Sequence, residues 1–156
     1  MESTDFYYEE QNESSKLIYT IGILWNQINS KLNEVLLKVN LNISKFNILM
    51  IIKHVGQKNG IQQNEISKKL LVTASNITKL LDKLENDGLI IRNDKAGDRR
   101  VKIIKITQKG SNLLDEIWGD YTEVINKISL QIPKGRQQTL LNDLLLWNKN
   151  ISKCNN

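Results

Sequence analysis

The hydrophobic period of this chain changes at Gly88. Upstream, between Ala74 and Asn86, Ile77, Leu80, Leu81 and Leu84 fall at i, i+3, i+4 and i+7, the spacing that gathers apolar side chains on one face of an α-helix. Asn86-Asp87-Gly88 ends that pattern, and Gly88 suits the left-handed conformation of a helix C-cap. Downstream, Leu89-Ile90-Ile91-Arg92 and the run Val101 to Ile106 are rich in β-branched residues and read as two strands. Asn93 to Asp98 supply the turn chemistry of a hairpin loop between them. Before the amphipathic helix, a short helix from about Gln62 to Leu70 turns Ile66 and Leu70 inward. Leu71-Val72-Thr73 is then a turn, with the Thr73 hydroxyl placed to cap the following helix.

Short helix, tight turn, amphipathic helix and basic hairpin form the order of a winged helix-turn-helix. Long helices flank it. Leu17, Ile21, Leu24, Ile28, Leu32, Val35 and Val39 make one apolar stripe between Ser14 and Val39. Asn42 and Ser44 are helix-start residues for a second helix. Its crowded apolar run, Phe46 to Val55, predicts burial on most sides, with His54 packed at its end and Gly56 as its stop. Thr107 caps a long helix carrying Leu113, Leu114, Ile117, Trp118, Tyr121, Val124, Ile125 and Ile128. Pro133 and Gly135 break it before a last helix with Leu140, Leu141, Leu144, Leu145 and Trp147. The expected fold is therefore mainly α with a small β-hairpin wing (an α+β arrangement). It is one domain over 1–156, with a DNA-binding lobe at 43–106 and a helical dimerisation region at 14–39 plus 107–152. Apolar stripes at both chain ends, more than one small core can absorb, suit a dimer surface.

The charge points to a partner. The net charge is +5, and between Gly60 and Gly110 eleven Lys or Arg face six Asp or Glu. The whole excess therefore lies in the helix-turn-helix and hairpin, the footprint of a polyanion such as duplex DNA rather than of a membrane. No apolar run reaches the length of a membrane span. The single cysteine, Cys154, and the acidic N-terminus fit a cytoplasmic protein better than a secreted one. One His, one Cys and no phosphate-binding glycine loop leave an enzyme without parts. No cofactor is expected, and His54 with Cys154 makes no typical nitrogen/sulfur metal site.

With its apolar face inward, the helix from Ala74 shows Ser75, Asn76, Thr78, Lys79, Asp82 and Lys83 on the other side. Small amide and hydroxyl side chains fit a major groove, where Asn pairs with adenine and Ser or Thr reaches several base edges. Lys79 and Lys83 neutralise phosphate or reach guanine. In the hairpin, Asp98-Arg99-Arg100 places arginines where a narrow minor groove attracts them, with Asp98 as a brace. A solvated helix face and a turn-stabilising salt bridge are the plainer readings of these two features. A winged helix that binds protein, or DNA without sequence preference, is the alternative reading of the whole.

The stretch Ile61 to Gly110, IQQNEISKKLLVTASNITKLLDKLENDGLIIRNDKAGDRRVKIIKITQKG, resembles the multiple-antibiotic-resistance regulator (MarR) family of bacterial winged-helix proteins. The likeness is carried by NITKLLDKLENDGLI, the DRR wing, and the IT-KG that opens the next helix. It implies a triangular homodimer with intertwined first and last helices, acting as a transcriptional regulator and more often a repressor, on a pseudo-palindromic operator. It carries over Ser75, Asn76, Thr78 and Lys79 as the reading face, Arg100 in preference to Arg99 as the wing arginine, and Asp98 as its brace. It also implies a small aromatic effector, for which Trp25, Trp118 and Tyr121 are the candidate lining. The N-terminal cysteine of peroxide-sensing relatives is missing from this sequence.

Overall fold

The computed structural model describes residues 12–70, 74–95 and 97–153. The elements run α1 (Glu13–Leu36), a 3-10 turn (Leu37–Val39), α2 (Ile43–Ile51), a π-helical turn (Ile52–Gly56), β1 (Ile61–Gln62), α3 (Gln63–Leu70), α4 (Ala74–Asn86), β2 (Ile90–Lys95), β3 (Asp98–Ile106), α5 (Gln108–Ser129) and α6 (Gln137–Ile151). The chain falls into two compact units, Met1–Tyr121 and Thr122–Asn156. Among the described residues no single helix is long and apolar enough to cross a membrane. The turn at 71–73, with Thr73, and Cys154 lie outside the described residues.

The first unit has one core. Leu36, Leu41, Phe46, Ile48, Leu49, Ile52, Ile66, Ile77, Leu81, Leu84, Ile90 and Ile104 are fully buried, each burial stabilising by about 1.5–3 kcal/mol relative to an exposed side chain. They come from the end of α1, from the connection that follows it, from α2 to α4, and from the sheet, so the helix-turn-helix and the hairpin share one interior. Helix starts follow side-chain capping: Asn42 Oδ1 accepts from the Lys45 N–H at 2.9 Å, and Asn12 Oδ1 from that of Ser15 at 2.9 Å. Helix α4 ends in a Schellman cap. Gly88, at φ +71°, donates to Glu85 O at 2.8 Å, and Leu89 donates to Leu84 O at 2.9 Å.

The hairpin is longer than the sequence suggests. Its antiparallel ladder runs from Ile90↔Ile106 through Asp94↔Lys102, with a register shift before Lys95↔Asp98. Asn93 to Lys95 and Asp98 to Arg100 thus belong to the strands, not the loop. Polar residues hide this because the tip of the ladder is solvated on both faces, so no period-two alternation marks it. A third strand leaves no signal in the sequence: β1 pairs antiparallel with β3, Ile61 opposite Ile104 and Gln62 opposite Ile103, giving the order β1-β3-β2. Two residues are too short to show a period. The third helix accordingly starts at Gln63, with Gln62 in the strand.

Helix α2 departs from expectation at its end. It loosens into the π turn that stops at Gly56, where Gln57 takes φ 43°. Gly56 is buried against Ile61, whose backbone nitrogen lies 3.3 Å from where a Cβ would stand. His54 does not pack inside, and Val55 is 50% exposed. The wider π turn rotates them out of the apolar face that the crowded sequence implies.

The second unit contains the end of α5 and α6, joined by a turn in which Arg136 donates to Pro133 O at 3.0 Å and Gly135 has φ +79°. No residue of α6 is buried. Leu140, Leu141, Leu144, Leu145 and Leu146 are all exposed.

Candidate nucleic-acid interface

The core contacts of α4 decide what it shows to solvent. Ile77, Leu81 and Leu84 are fully buried, so Asn76, Thr78, Lys79, Asp82 and Lys83 stand exposed on the other side. The Ser75 side chain lies outside the described residues. Thr78 is held across the helix-turn-helix by Gln63 of α3, whose Nε2 donates to its Oγ1 at 2.8 Å. Gln63 gave no signal in the sequence as a partner of the reading face. Only the fold brings it across the turn.

In the wing, Arg100 is 92% exposed at its side chain and its Nε lies 3.3 Å from Asp98 Oδ1. The same oxygen accepts from the Arg100 backbone N–H at 3.0 Å. An ion pair this exposed contributes little stability, but it biases the direction of the guanidinium. The Arg99 side chain lies outside the described residues. Between α3 and the wing a groove of about 330 Å³ is lined by Gln62, Gln63, Asn64, Ser67, Arg100, Val101 and Lys102.

The electrostatics of this face follow from where its acids are spent. Asp82 and Glu85 face Arg92. Asp87 pairs with Lys45 at 2.9 Å, Asp94 with Lys102, and Asp98 with Arg100. Glu65 accepts the Gln62 backbone N–H at 3.1 Å. Every acidic side chain between Gly60 and Gly110 is thus engaged within the lobe. Among the described residues Lys68, Lys69, Lys79 and Lys83 form no ion pair and stand exposed. Their field is left uncancelled, and that is the arrangement a phosphate backbone requires.

The aromatic candidates separate. Tyr121 packs against Phe46, ring centroids 4.3 Å apart, and stacks on Trp118 at 6.1 Å. Burial pushes the Tyr121 hydroxyl above its ordinary pKa. Trp118 also lines a cavity of about 260 Å³ with Met50, Lys53, His54, Leu114 and Asp115, in which Lys53 Nζ meets Asp115 Oδ1 at 2.6 Å. Trp25 lies 59% exposed on α1 and lines neither this cavity nor the groove. Among the described residues no cluster of three His, Cys, Asp or Glu side chains is placed to hold a metal.

Comparison with known proteins places this lobe. Residues 41–102 match the MarR family, a stretch running from just before α2 into β3. The HTH-type transcriptional regulator MhqR of Bacillus subtilis is 34% identical over 116 residues, covering 74% of this chain and 78% of that protein. The fold matches the Staphylococcus aureus MepR–DNA complex with a TM-score of 0.78 at 23% identity, over 90% of this chain and 99% of that one. It also matches CouR from Rhodococcus jostii RHA1 bound to p-coumaroyl-CoA, with a TM-score of 0.70 at 22% identity, over 91% and 95%. MhqR and the other curated relatives are transcriptional regulators, not enzymes. The match across the helix-turn-helix and wing, the identity shared with MhqR and the common fold make this chain a member of the MarR family of DNA-binding transcriptional regulators.

Proposed function

We propose that the protein acts as a homodimeric repressor on a pseudo-palindromic operator. The observation that carries this is the lobe's surface: an amide, hydroxyl and lysine face on α4 beside an extended Arg100, with every nearby acid engaged internally. In this reading the lobe at 43–106 binds DNA, while 14–39 and 107–152 supply the dimer. Ser75, Asn76, Thr78 and Lys79 read one major groove per half-site, and Lys83 holds phosphate. Arg100, braced by Asp98 and flanked by Arg99, enters the adjoining minor groove. Half-site centres then lie about 10 base pairs apart. Exposed Leu17, Ile18 and Leu24 on α1 and the leucines of α6 are the surfaces a second copy covers.

The two kinds of contact separate by mutation. Asn76→Ala is expected to relax base preference at one position per half-site, at a cost of about 1–3 kcal/mol against the preferred base. Lys83→Ala is expected to weaken all duplexes alike and to flatten the salt dependence by about one unit of slope. Titrations of both variants on operator and random duplexes, at several salt concentrations, check this. Equal loss on both duplexes for Asn76→Ala removes it from base reading.

Effector release is assigned to the cavity beside Trp118. At about 260 Å³ it suits a ligand of one aromatic ring, below the usual range for larger ligands. An acidic aromatic compound there competes with Asp115 for Lys53, the ion pair that ties the π turn to α5. Trp118 and, behind it, Tyr121 belong to this site, and Trp25 is left to the dimer surface. Wild type is expected to release DNA on addition of small aromatic acids such as salicylate. Lys53→Met is expected to lose most of that response, and an undiminished response in the variant takes Lys53 out of the site.

A further inference from the structure

The wing and the recognition helix α4 are separate elements that must meet two grooves at a fixed distance. Beyond their shared core, one side chain among the described residues ties them by ion pairs. Arg92 of β2 directs Nη2 to Asp82 Oδ1 at 2.6 Å, and its backbone N–H donates to Glu85 Oε1 at 3.2 Å. Its Nε lies 3.3 Å from Glu85 Oε2, an ion contact whose angle is too poor for a hydrogen bond. These are the only ion pairs between α4 and the wing among the described residues. The Arg92 side chain is 16% exposed, against 92% for Arg100, so Arg92 counts toward the basic charge of the segment but is not displayed to DNA. Asp82 stands on the outward face of α4 and is neutralised by the same contact.

We infer that Arg92 is a positioning residue for operator recognition: it fixes the wing against α4, and so sets the spacing between the bases read by the helix and those read by Arg100. The geometry supports this along the ladder. Arg92 pairs with the buried Ile104 across the hairpin, and the antiparallel ladder continues to Asp94↔Lys102, two residues from Arg100. A hold at its base is therefore felt at its tip. The bidentate fork matters, because a guanidinium can face two carboxylates three residues apart on α4 while an ammonium holds one as a point charge.

This inference rests on the DNA-reading proposed above, and the test keeps the two apart. Wild type, Arg92→Met, Arg92→Lys and Asp82→Asn, each as the full chain, are used to select from a pool of random duplexes, and each affinity is titrated on the wild-type consensus. Arg92→Met is expected to keep the consensus at the helix-read positions, to blur it at the flanking wing-read positions, and to lose about tenfold on the full site. In an Arg100→Ala background the same substitution is expected to cost less than about threefold, since the wing then has nothing to aim. Arg92→Lys is expected to recover part of the loss. Asp82→Asn gives opposite signs for the two explanations: removing a negative charge facing DNA tightens binding if Arg92 and Asp82 act only through charge, whereas loss of the hold blurs the wing positions. A sharp wing consensus in Arg92→Met, equal losses in both backgrounds, or uniformly tighter binding by Asp82→Asn overturns the inference and leaves DNA reading intact. A wild type that selects no consensus overturns the reading, and the inference with it.

Discussion

Replacing Leu141 and Leu145 together by aspartate is expected to produce a folded monomer whose operator affinity is lower by about 10²- to 10⁴-fold, the advantage lost when two linked binding modules become one. Helix α6 presents Leu140, Leu141, Leu144, Leu145 and Leu146 with 41, 50, 44, 58 and 60% exposure. A row of leucines this open on one helix is the kind of patch that marks an interaction surface. No residue of α6 belongs to the buried core, so the two substitutions leave the interior of the winged lobe unaltered. The half-site contacts of α4 and Arg100 therefore survive, and what disappears is the second lobe on the same duplex. Sedimentation velocity reads the assembly and a binding titration reads the affinity. A wild-type protein that sediments as a monomer, or a double variant that still dimerises and binds as before, contradicts the assignment of α6.

The second large effect is on stability. Gly110→Ala is expected to lower the melting temperature by about 10 °C. A Cβ at Gly110 would stand 2.3 Å from Leu89 O and 2.9 Å from Ile106 Cγ1, and the nearer obstacle is backbone. The same corner is pinned by Thr107. Its Oγ1 donates to Gly88 O at 2.8 Å and accepts from the Gly110 N–H at 3.0 Å, while its backbone N–H reaches Leu89 O at 3.0 Å. With the corner held on both sides, neither α5 nor β2 can retreat without breaking a bond. Overpacking against backbone then costs about 3 kcal/mol, the upper part of the usual range, or roughly 10 °C at this chain length. Gly119→Ala on the same helix meets nothing within 4 Å and is expected to raise stability by about 0.5–1 kcal/mol. Thermal unfolding of the pair checks the contrast. A Gly110→Ala protein that melts like wild type contradicts the tight corner.

These two glycines show why parts of the fold were legible in the sequence and others were not. The amphipathic pattern of α4 and its Gly88 stop could be read directly, because burial and capping leave residue-type signals at fixed spacing. The IT-KG segment could be recognised by resemblance, and the reason for its glycine is the Leu89 carbonyl, a contact from the distant turn between α4 and β2. Local pattern fails where geometry is set by pairing. β1 has two residues and exists because β3 offers it an edge. The polar half of the wing is held by the ladder and by Asp94–Lys102, not by apolar alternation. The π turn that exposes His54 and Val55 has the composition of an ordinary buried helix.

The candidate site divides in the same way. Asn76, Thr78, Lys79 and Lys83 fall on the outward face that helical spacing dictates, and Asp98 adjoins Arg100 because the two are neighbours in sequence. Arg92 and Asp82 were indistinguishable from surface charges until the fold brought them together, 10 residues apart in sequence. Gln63 reaches Thr78 over a separation of 15 residues. Trp25 and Trp118 look alike as aromatic residues on long helices, and only the packing of α5 on α2 and its π turn gives Trp118 a cavity. Side chains that act through another element carry no local mark.

The central claim is that this chain reads sequence as a dimer. Selection of bound duplexes from a random pool by the purified wild-type protein tests it most directly. The account predicts an inverted repeat with half-site centres about 10 base pairs apart and a flanking A·T-rich preference where Arg100 enters the minor groove. Salt-sensitive binding that enriches no sequence, or enrichment of a single unrepeated half-site, would contradict it.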